Sequence, residues 1–455
     1  MKPILNMAKS LTYLPISPPD PEHRDERALE LFERMKSQFR SVLMAMESCV
    51  KCGRCANACH TYLGTQDPYN IPANRADLMR KVYKRHFTTT GRVFGSFAGG
   101  EEFSDELLEK WVNYFYQCNE CRRCSVFCPF GIDTAEVTIA ARQILTYLGI
   151  VPKFIMDTAT MLHKSGNNMG IPVPAAKDSI EFMEDDLEDE YGYKIPLPVD
   201  LEQADILYIP SSADFFTNYD TMIGVAKYFY AIGASWTMDT SVLETANFGL
   251  FFDEYTQKEH THRKLAAAKK CGAKKIIAGE CGHGWREFKM YTESIFGPHE
   301  FEITHIHEEV AMSIKKGELK FDKSVNDHLK VTLHDPCNYA RGAGLIEAPR
   351  YVLKHVVNDF KEMTPNKEKN FCCGGGSGLL FEEIKDIRKK LGAQKVKQIE
   401  TLADRNYLCA PCSICKAQLP LVFEDFKKET GHEDFTIAGL MDLVGFAMVL
   451  EENNK

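Results

Sequence analysis

The sequence predicts a multidomain protein of the α+β kind: an α-helical, cysteine-bearing N-terminal part followed by a duplicated α/β part. Three observations carry this prediction. The spacing C-x2-C-x2-C-x3-C occurs twice in the N-terminal third. From about residue 203, short apolar strands alternate with helical stretches. The order of phrases in the first half of that region returns in the second.

The chain of 455 residues has room for roughly two or three domains. Its hydrophobic content of 44% supports an ordinary buried core. The net charge of −9, with both signs spread along the chain, excludes nucleic acid as a partner, since that needs a basic patch. The short basic run KVYKR at 81–85 reads as a solvated helix face. No stretch reaches the roughly 18 apolar residues of a membrane-spanning helix. The longest candidate, 435–450, is interrupted by Asp442 and reads as an amphipathic or core helix able to dock on a partner. The N-terminus has neither a long apolar signal region nor twin arginines, so a cytoplasmic location is expected, peripheral to a membrane complex from that side.

The sixteen cysteines are the informative feature. A reducing compartment disfavours disulfides, so grouped cysteines read as metal ligands or redox groups. Thirteen of them fall into three groups.

Along the chain, 1–20 is Pro-rich and expected to be extended, and 22–47 carries a helical pattern. The first cysteine run spans Cys49 to Cys59. An insert of helices and loops over 60–117 includes a Gly-rich turn at 95–100. The second run spans Cys118 to Cys128 and precedes a helix expected over 134–148. Gly, Asn and Pro near 165–175 suggest a linker, and the acidic stretch 181–190 a solvated interdomain face. The α/β phrases are ADILYIP, MIGVAKYFYAIG, KKIIAGE and VTLHDP. The expected divisions are 1–47, 48–150, 151–203, 204–325 and 326–455.

Within the α/β region, ILYIPSSAD, ETANFGLFF and KKIIAGECGHGW run parallel to VTLHDPCNY, KNFCCGGGSGLLF and NYLCAPCSIC. Laid over each other, Asn247-Phe248-Gly249 falls on Cys372-Cys373-Gly374, and Cys281 falls on Cys412. The second copy keeps five cysteines at cluster spacing, and the first keeps one of these, Cys281.

Cys49, Cys52, Cys55 and Cys59 form the first run; Cys118, Cys121, Cys124 and Cys128 form the second, with Pro129 behind it. This is the bacterial ferredoxin arrangement. Cysteines at every third position wrap three corners of a cube, and the fourth points to the neighbouring cube. One [4Fe–4S] cubane is thus assigned to Cys49, Cys52, Cys55 and Cys128, the other to Cys118, Cys121, Cys124 and Cys59. Zinc favours paired C-x2-C units separated by a loop, which neither run provides. His60 stands where a proline is usual after Cys59, a departure expected to alter a turn or a potential without removing a ligand.

The third group, Cys337, Cys372-Cys373, Cys409 and Cys412, reads C-x34-CC-x35-C-x2-C. A vicinal disulfide is strained, whereas adjacent cysteines suit adjacent iron atoms. The glycines of CCGGGSG let backbone approach a cluster and donate amides to its sulfurs. A structural zinc site is the competing reading; a phosphate loop lacks its Lys-Ser/Thr ending.

This region resembles the cysteine-rich CCG domain of heterodisulfide reductases. The resemblance implies a noncubane [4Fe–4S] cluster on Cys337, Cys372, Cys373, Cys409 and Cys412 that reduces a disulfide. Two ferredoxin runs joined to duplicated CCG halves, here 204–325 (degenerate) and 326–455, resemble the D subunit of the membrane-bound heterodisulfide reductase. The phrases ECRRCSVFCPFGIDTAE, GECGHGWR, HDPCNYARG and FCCGGGSGL resemble cytoplasmic subunits of sulfate-reducer respiratory membrane complexes. These are the F subunit of the high-molecular-weight cytochrome c complex and the K subunit of the sulfite-reduction complex. The partners so implied are integral membrane subunits that bind quinone or haem, with the disulfide of a small sulfur-carrier protein as substrate.

Disulfide reduction also needs protons, so a proton-delivering group near the cluster is expected. His334, three residues before Cys337, and His283, two after Cys281, are the candidates, with Arg286 as an anion contact. Cys281 is read as facing the cluster or as a buried thiol, Cys415 as a spare thiol or alternative ligand, and Cys271 as structural. His305 and His307 are read as alternating on a strand, and His260 and His262 as structural or solvent-facing in a charged helix. The expected function is an iron–sulfur subunit that exchanges electrons with a membrane partner and carries out thiol–disulfide chemistry. Two other readings compete: the relay subunit of a flavin hydroxyacid dehydrogenase such as glycolate oxidase, and a docking subunit without substrate chemistry.

Overall fold

The computed structural model describes residues 21–402, 404–430 and 435–452; the Pro-rich stretch 1–20 lies outside them. The chain packs as two compact units that are not consecutive in sequence. The first comprises Met1–Ala159, Phe248–Gln257 and Phe371–Lys395, the second Thr160–Asn247, Lys258–Asn370 and Val396–Lys455.

The first unit is helical. The pattern expected as one helix over 22–47 is two, α1 (Arg24–Gln38) and α2 (Arg40–Ser48), because Phe39 adopts an extended backbone between them. A short helix α3 (His60–Thr65) follows the first cysteine run; α4 (Pro72–Phe87) and α5 (Asp105–Phe115) form the insert. The helix expected over 134–148 is α6 (Thr134–Tyr147). Trp111 anchors the core, with Phe103 and Phe115 edge-on at 5.4 Å and its indole N–H on the Leu78 carbonyl. Buried Arg80 donates to the carbonyls of Ala45 (2.8 Å) and Met46 (3.1 Å). It thereby satisfies acceptors that the last turn of α2 leaves open just before Cys49.

The second unit is α/β. The stretch 151–203 is largely helical: Lys153–Ser165 precedes α7 (Val173–Tyr191). Ile180, Met183 and Leu187 face the core while Glu181, Asp185 and Asp189 stay exposed, so the acidic run is one solvated helix face. Strands β1 (Ile206–Ile209), β2 (Trp236–Thr237), β3 (Lys275–Ala278) and β4 (Glu302–His305) form a parallel sheet in the order β2-β1-β3-β4. Strands β5 (Val331–Leu333), β6 (Tyr407–Cys409) and β7 (Thr436–Ala438) form a second parallel sheet in that order. The connecting helices include α8 (Tyr219–Ala231), α9 (Glu254–Lys270), α10 (Gly282–Met290) and α11 (Ile306–Lys316), then α12 (Glu347–Val356), α13 (Ser413–Thr430) and α14 (Leu440–Ala447).

Two expectations need correction. His305 ends β4 but His307 lies in α11, because the His305 imidazole and Glu308 form a capping box that starts the helix there. The apolar stretch 435–450 is not one helix. Gly439 separates β7 from α14, whose Leu440, Met441, Leu443 and Val444 are core residues. Among the described residues no helix is long and apolar enough to cross a membrane.

The duplication is visible in backbone detail. Cys281 and Cys412 each lie three residues past a strand end, β3 and β6, and directly before a helix, α10 and α13. Each closes the same tight turn, Cys281 N–H on the Gly279 carbonyl and Cys412 N–H on the Ala410 carbonyl, both at 2.7 Å. Segments 248–257 and 371–395, which carry Phe248-Gly249 and the overlaid Cys373-Gly374, both belong to the first unit.

Candidate iron–sulfur sites

The two N-terminal runs share one backbone. Lys51 and Gly53 flank Cys52 with φ of +53° and +78°; Glu120 and Arg122 flank Cys121 with φ of +48° and +58°. Three of these four are not glycine, and left-handed backbone is costly for them. The same unfavourable pattern stands on both sides of the middle cysteine, so both loops take the same local turn.

The eight cysteines fall into two groups in space. Cys49, Cys52, Cys55 and Cys128 line one surface concavity, which Cys124 also borders. Cys59 belongs with the other run. Burial pushes its thiol up, opposed by Arg75 and reinforced by Cys121 and Cys118. Burial likewise pushes up Cys124, with Cys121, Cys59 and Cys118 adding to the effect. Arg75 is buried, yet Cys118, Cys59 and Cys124 raise its guanidinium above the usual range. A cation fixed beside four clustered sulfurs suits a net-negative cluster. The two sets differ in exposure: Cys52 is exposed, with Val50 and Phe130 exposed beside it, whereas Cys59 and Cys121 are buried. No disulfide joins any of the cysteines among the described residues.

The second loop is held from behind. The Asp133 carboxylate caps α6 through Ala135 N–H and accepts from Arg122 Nε (2.6 Å) and Ser125 Oγ (2.9 Å). Burial opposes its ionisation, but Arg122 outweighs burial and lowers its pKa. Buried Arg142 donates to the carbonyls of Phe115, Cys118 and Ser377, each at 2.8 Å. It thereby ties the second cysteine loop to the end of CCGGGSG within one unit.

The Cys372-Cys373 pair lies in that same unit, fully buried. Gly374 follows at φ +91°, and its N–H reaches Cys372 Sγ at 3.4 Å. A Cβ there would sit 2.9 Å from Leu391 Cβ, so both the conformation and the space require glycine. Asn119 Nδ2 donates to Cys372 Sγ at 3.3 Å. His60 is the residue whose role was least legible beforehand. It is buried, its Nε2 accepts the Cys372 N–H at 2.8 Å, and its Nδ1 lies 3.6 Å from Cys121 Sγ. The one sequence signal was its replacement of the customary proline.

Cys337, Cys409 and Cys412 lie in the second unit, at or beyond the carboxyl ends of β5 and β6, where parallel sheets collect ligands. His334 follows β5; its N–H donates to the Cys409 carbonyl at 2.8 Å. Asp335 holds this loop, accepting a bidentate pair from Arg350 (2.7 and 2.8 Å) and the Lys367 N–H (2.7 Å). Gly282 N–H reaches Cys412 Sγ at 3.4 Å, and a Cβ on Gly282 would crowd Asn338 at 3.3 Å. The degenerate half therefore serves the equipped one with a backbone donor. Cys281 beside it is fully buried, and burial first, then Glu244 and Cys412, push its thiol far up. His283 is buried in the first turn of α10, and Arg286 donates to Asn338 Oδ1 at 3.0 Å. Cys415 is buried in the first turn of α13. Cys271 Sγ contacts the Ala268 carbonyl where α9 ends, a structural role. His260 is buried on the Glu244 carbonyl, while His262 is exposed.

Under these loops lies a buried charged network. Glu280 accepts from His307 Nε2 (3.0 Å), Lys416 Nζ (3.1 Å) and the N–H groups of Leu440 and Met441 (2.9 Å each). Burial disfavours the Glu280 carboxylate, but Lys416 and then His307 hold its pKa far below the usual range. Spacing gave no hint of this network, because its members come from four separate segments.

Residues 45–132 match the 4Fe-4S dicluster domain family, and residues 331–420 match the Cysteine-rich domain family abbreviated CCG. The first match accounts for two [4Fe–4S] clusters. The second contains Cys337, Cys372, Cys373, Cys409 and Cys412 and provides for a further one. The chain is 33% identical to the Hdr-like menaquinol oxidoreductase iron-sulfur subunit of Archaeoglobus profundus, over 94% of this chain and 84% of the relative. It is 34% identical, with the same coverage, to iron-sulfur subunit 2 of that name in Archaeoglobus fulgidus. It is 27% identical to the D subunit of the dihydromethanophenazine:CoB–CoM heterodisulfide reductase of Methanosarcina mazei, over 90% of this chain and 95% of the relative. With that identity and coverage, and with both cysteine-rich parts in place, the chain belongs to the family of Hdr-like iron–sulfur oxidoreductase subunits.

Proposed function

We propose that the protein exchanges electrons with a quinone- or haem-binding membrane subunit and carries out thiol–disulfide chemistry at a third, noncubane [4Fe–4S] cluster. Bound to these cysteines, the clusters supply one-electron steps, and the third supplies the site where a disulfide is cleaved. The set that contains exposed Cys52, with Cys49, Cys55 and Cys128, is the outward end of the relay, and the set that contains buried Cys59 and Cys121, with Cys118 and Cys124, is the inward end. Cys337, Cys372, Cys373, Cys409 and Cys412 hold the third cluster; His283 and His334 deliver protons to the departing sulfurs. The protein sits on the cytoplasmic face of the inner membrane. The names of the relatives support menaquinol as the membrane-side couple. The likeness to sulfate-reducer complexes supports a small sulfur-carrier disulfide as substrate.

The observation that carries this reading is the pairing of the intact CCGGGSG loop with the second ferredoxin run, through Asn119 on Cys372 and Arg142 on Ser377. The test is electron paramagnetic resonance of the intact complex, oxidised with and without thiol. A thiol-dependent signal that disappears in Cys373→Ser, together with disulfide reduction, is the expected result. Unchanged disulfide reduction in Cys373→Ser would overturn the reading, and absence of any thiol-dependent signal would favour a simple relay toward quinone.

A further inference from the structure

We infer that His60 is a positioning residue that links the inward cubane to the CCG loop, donating to Cys121 and accepting from Cys372 at once. The inference rests on the reading above for the role of Cys372, but its evidence is local to one compact unit.

Hydrogen-bond chemistry assigns the imidazole tautomer. The partner of Nε2 is a backbone N–H, which can only donate, at 2.8 Å. Nε2 must therefore be the unprotonated nitrogen, and in the neutral ring the proton lies on Nδ1. Nδ1 faces Cys121 Sγ at 3.6 Å, so the ring is an N–H donor to a cubane ligand and an acceptor toward the adjacent loop. Both ends are buried, where such bonds are strong and unpartnered groups costly. The ring is held in that orientation: Phe371 stands edge-on to it at 6.0 Å, and the Arg123 guanidinium stacks on Phe371 at 4.3 Å. Asn119, between two cysteines of the same run, makes the second bond to Cys372, through its sulfur. Cys372 is thus gripped at its amide and its Sγ by side chains that flank inward-cubane ligands.

Two consequences follow. A proline after Cys59 has no side-chain donor or acceptor, so it would forfeit both bonds. A hydrogen bond to a ligating sulfur also favours the reduced, more negative state of a cluster, so His60 raises the potential of the inward cubane. The outward set, Cys49, Cys52, Cys55 and Cys128, has no such partner in His60 and serves as the internal reference.

The experiment is a redox titration of the whole purified protein followed by electron paramagnetic resonance. It compares the wild type with His60→Phe, His60→Pro and His60→Gln. His60→Phe and His60→Pro are expected to lower the midpoint of the inward cubane and leave the outward one unchanged. His60→Gln, whose amide keeps a donor and an acceptor, is expected to restore most of the shift. Unchanged inward midpoints in His60→Phe, or equal shifts of both cubanes, would overturn the inference. If His60→Phe fails to assemble its clusters, a His60→Gln midpoint as low as that of His60→Pro overturns it. The readout does not involve a disulfide, so it stands apart from the fate of the thiol-dependent signal.

Discussion

His60 and Asp335 show how much of this protein depends on single buried polar groups. His60 bonds two segments 312 positions apart in sequence. Asp335, beside the candidate His334, accepts from Arg350, which also engages Glu362 at 2.6 Å. Removing one partner of a buried pair strands the other charge and costs about 3–5 kcal/mol. Arg350→Ala is therefore expected to lose stability of that order in denaturant unfolding of the cluster-loaded protein. Its ferredoxin signals should remain, because those cysteines belong to the other unit.

Elements meet closely where glycine permits. On α8, a Cβ at Gly224 would lie 2.0 Å from the Met441 carbonyl oxygen on α14 and 3.4 Å from the N of Gly445, one turn further along the same helix. The two helices touch backbone to backbone. Overpacking such a contact costs roughly 1–3 kcal/mol or more. Gly224→Ala is expected to lower the thermal midpoint by several degrees, read by far-ultraviolet circular dichroism; an unchanged midpoint would mean that the helices separate freely. The same contact shows where much of the apolar character of 435–450 goes: Leu440, Met441, Leu443 and Val444 are core residues, while Phe446 and Val449 stay exposed.

Across the α/β unit, buried charge should be felt as pH dependence. Burial raises the Asp214 carboxyl to about 7 from an ordinary 3.8, against the pull of Lys416. Between those values the folded state binds the extra proton, so stability falls as pH rises through the window and levels off above it. Asp214→Asn removes the ionisation while keeping an acceptor for the Ser211 N–H. Its stability relative to wild type is expected to grow between about pH 4 and 7. Equal pH profiles in thermal unfolding would refute the shift.

The ferredoxin runs, the helix after them, the α/β alternation and the duplication were legible in the sequence. Spacing and periodicity are local, and an iron–sulfur loop is encoded within about a dozen residues. The tertiary structure decided what joins these parts. The Glu280 network and the two bonds to Cys372 join residues far apart in sequence and satisfy buried polar groups, and no periodic pattern records such a pairing. The break at Phe39 and the capping of α11 by His305 and Glu308 are local, but neither interrupts the apolar pattern that marks a helix or strand. His60 stands at that boundary. Its departure from proline was visible in the sequence, while its meaning required the Cys372 amide to arrive 2.8 Å away.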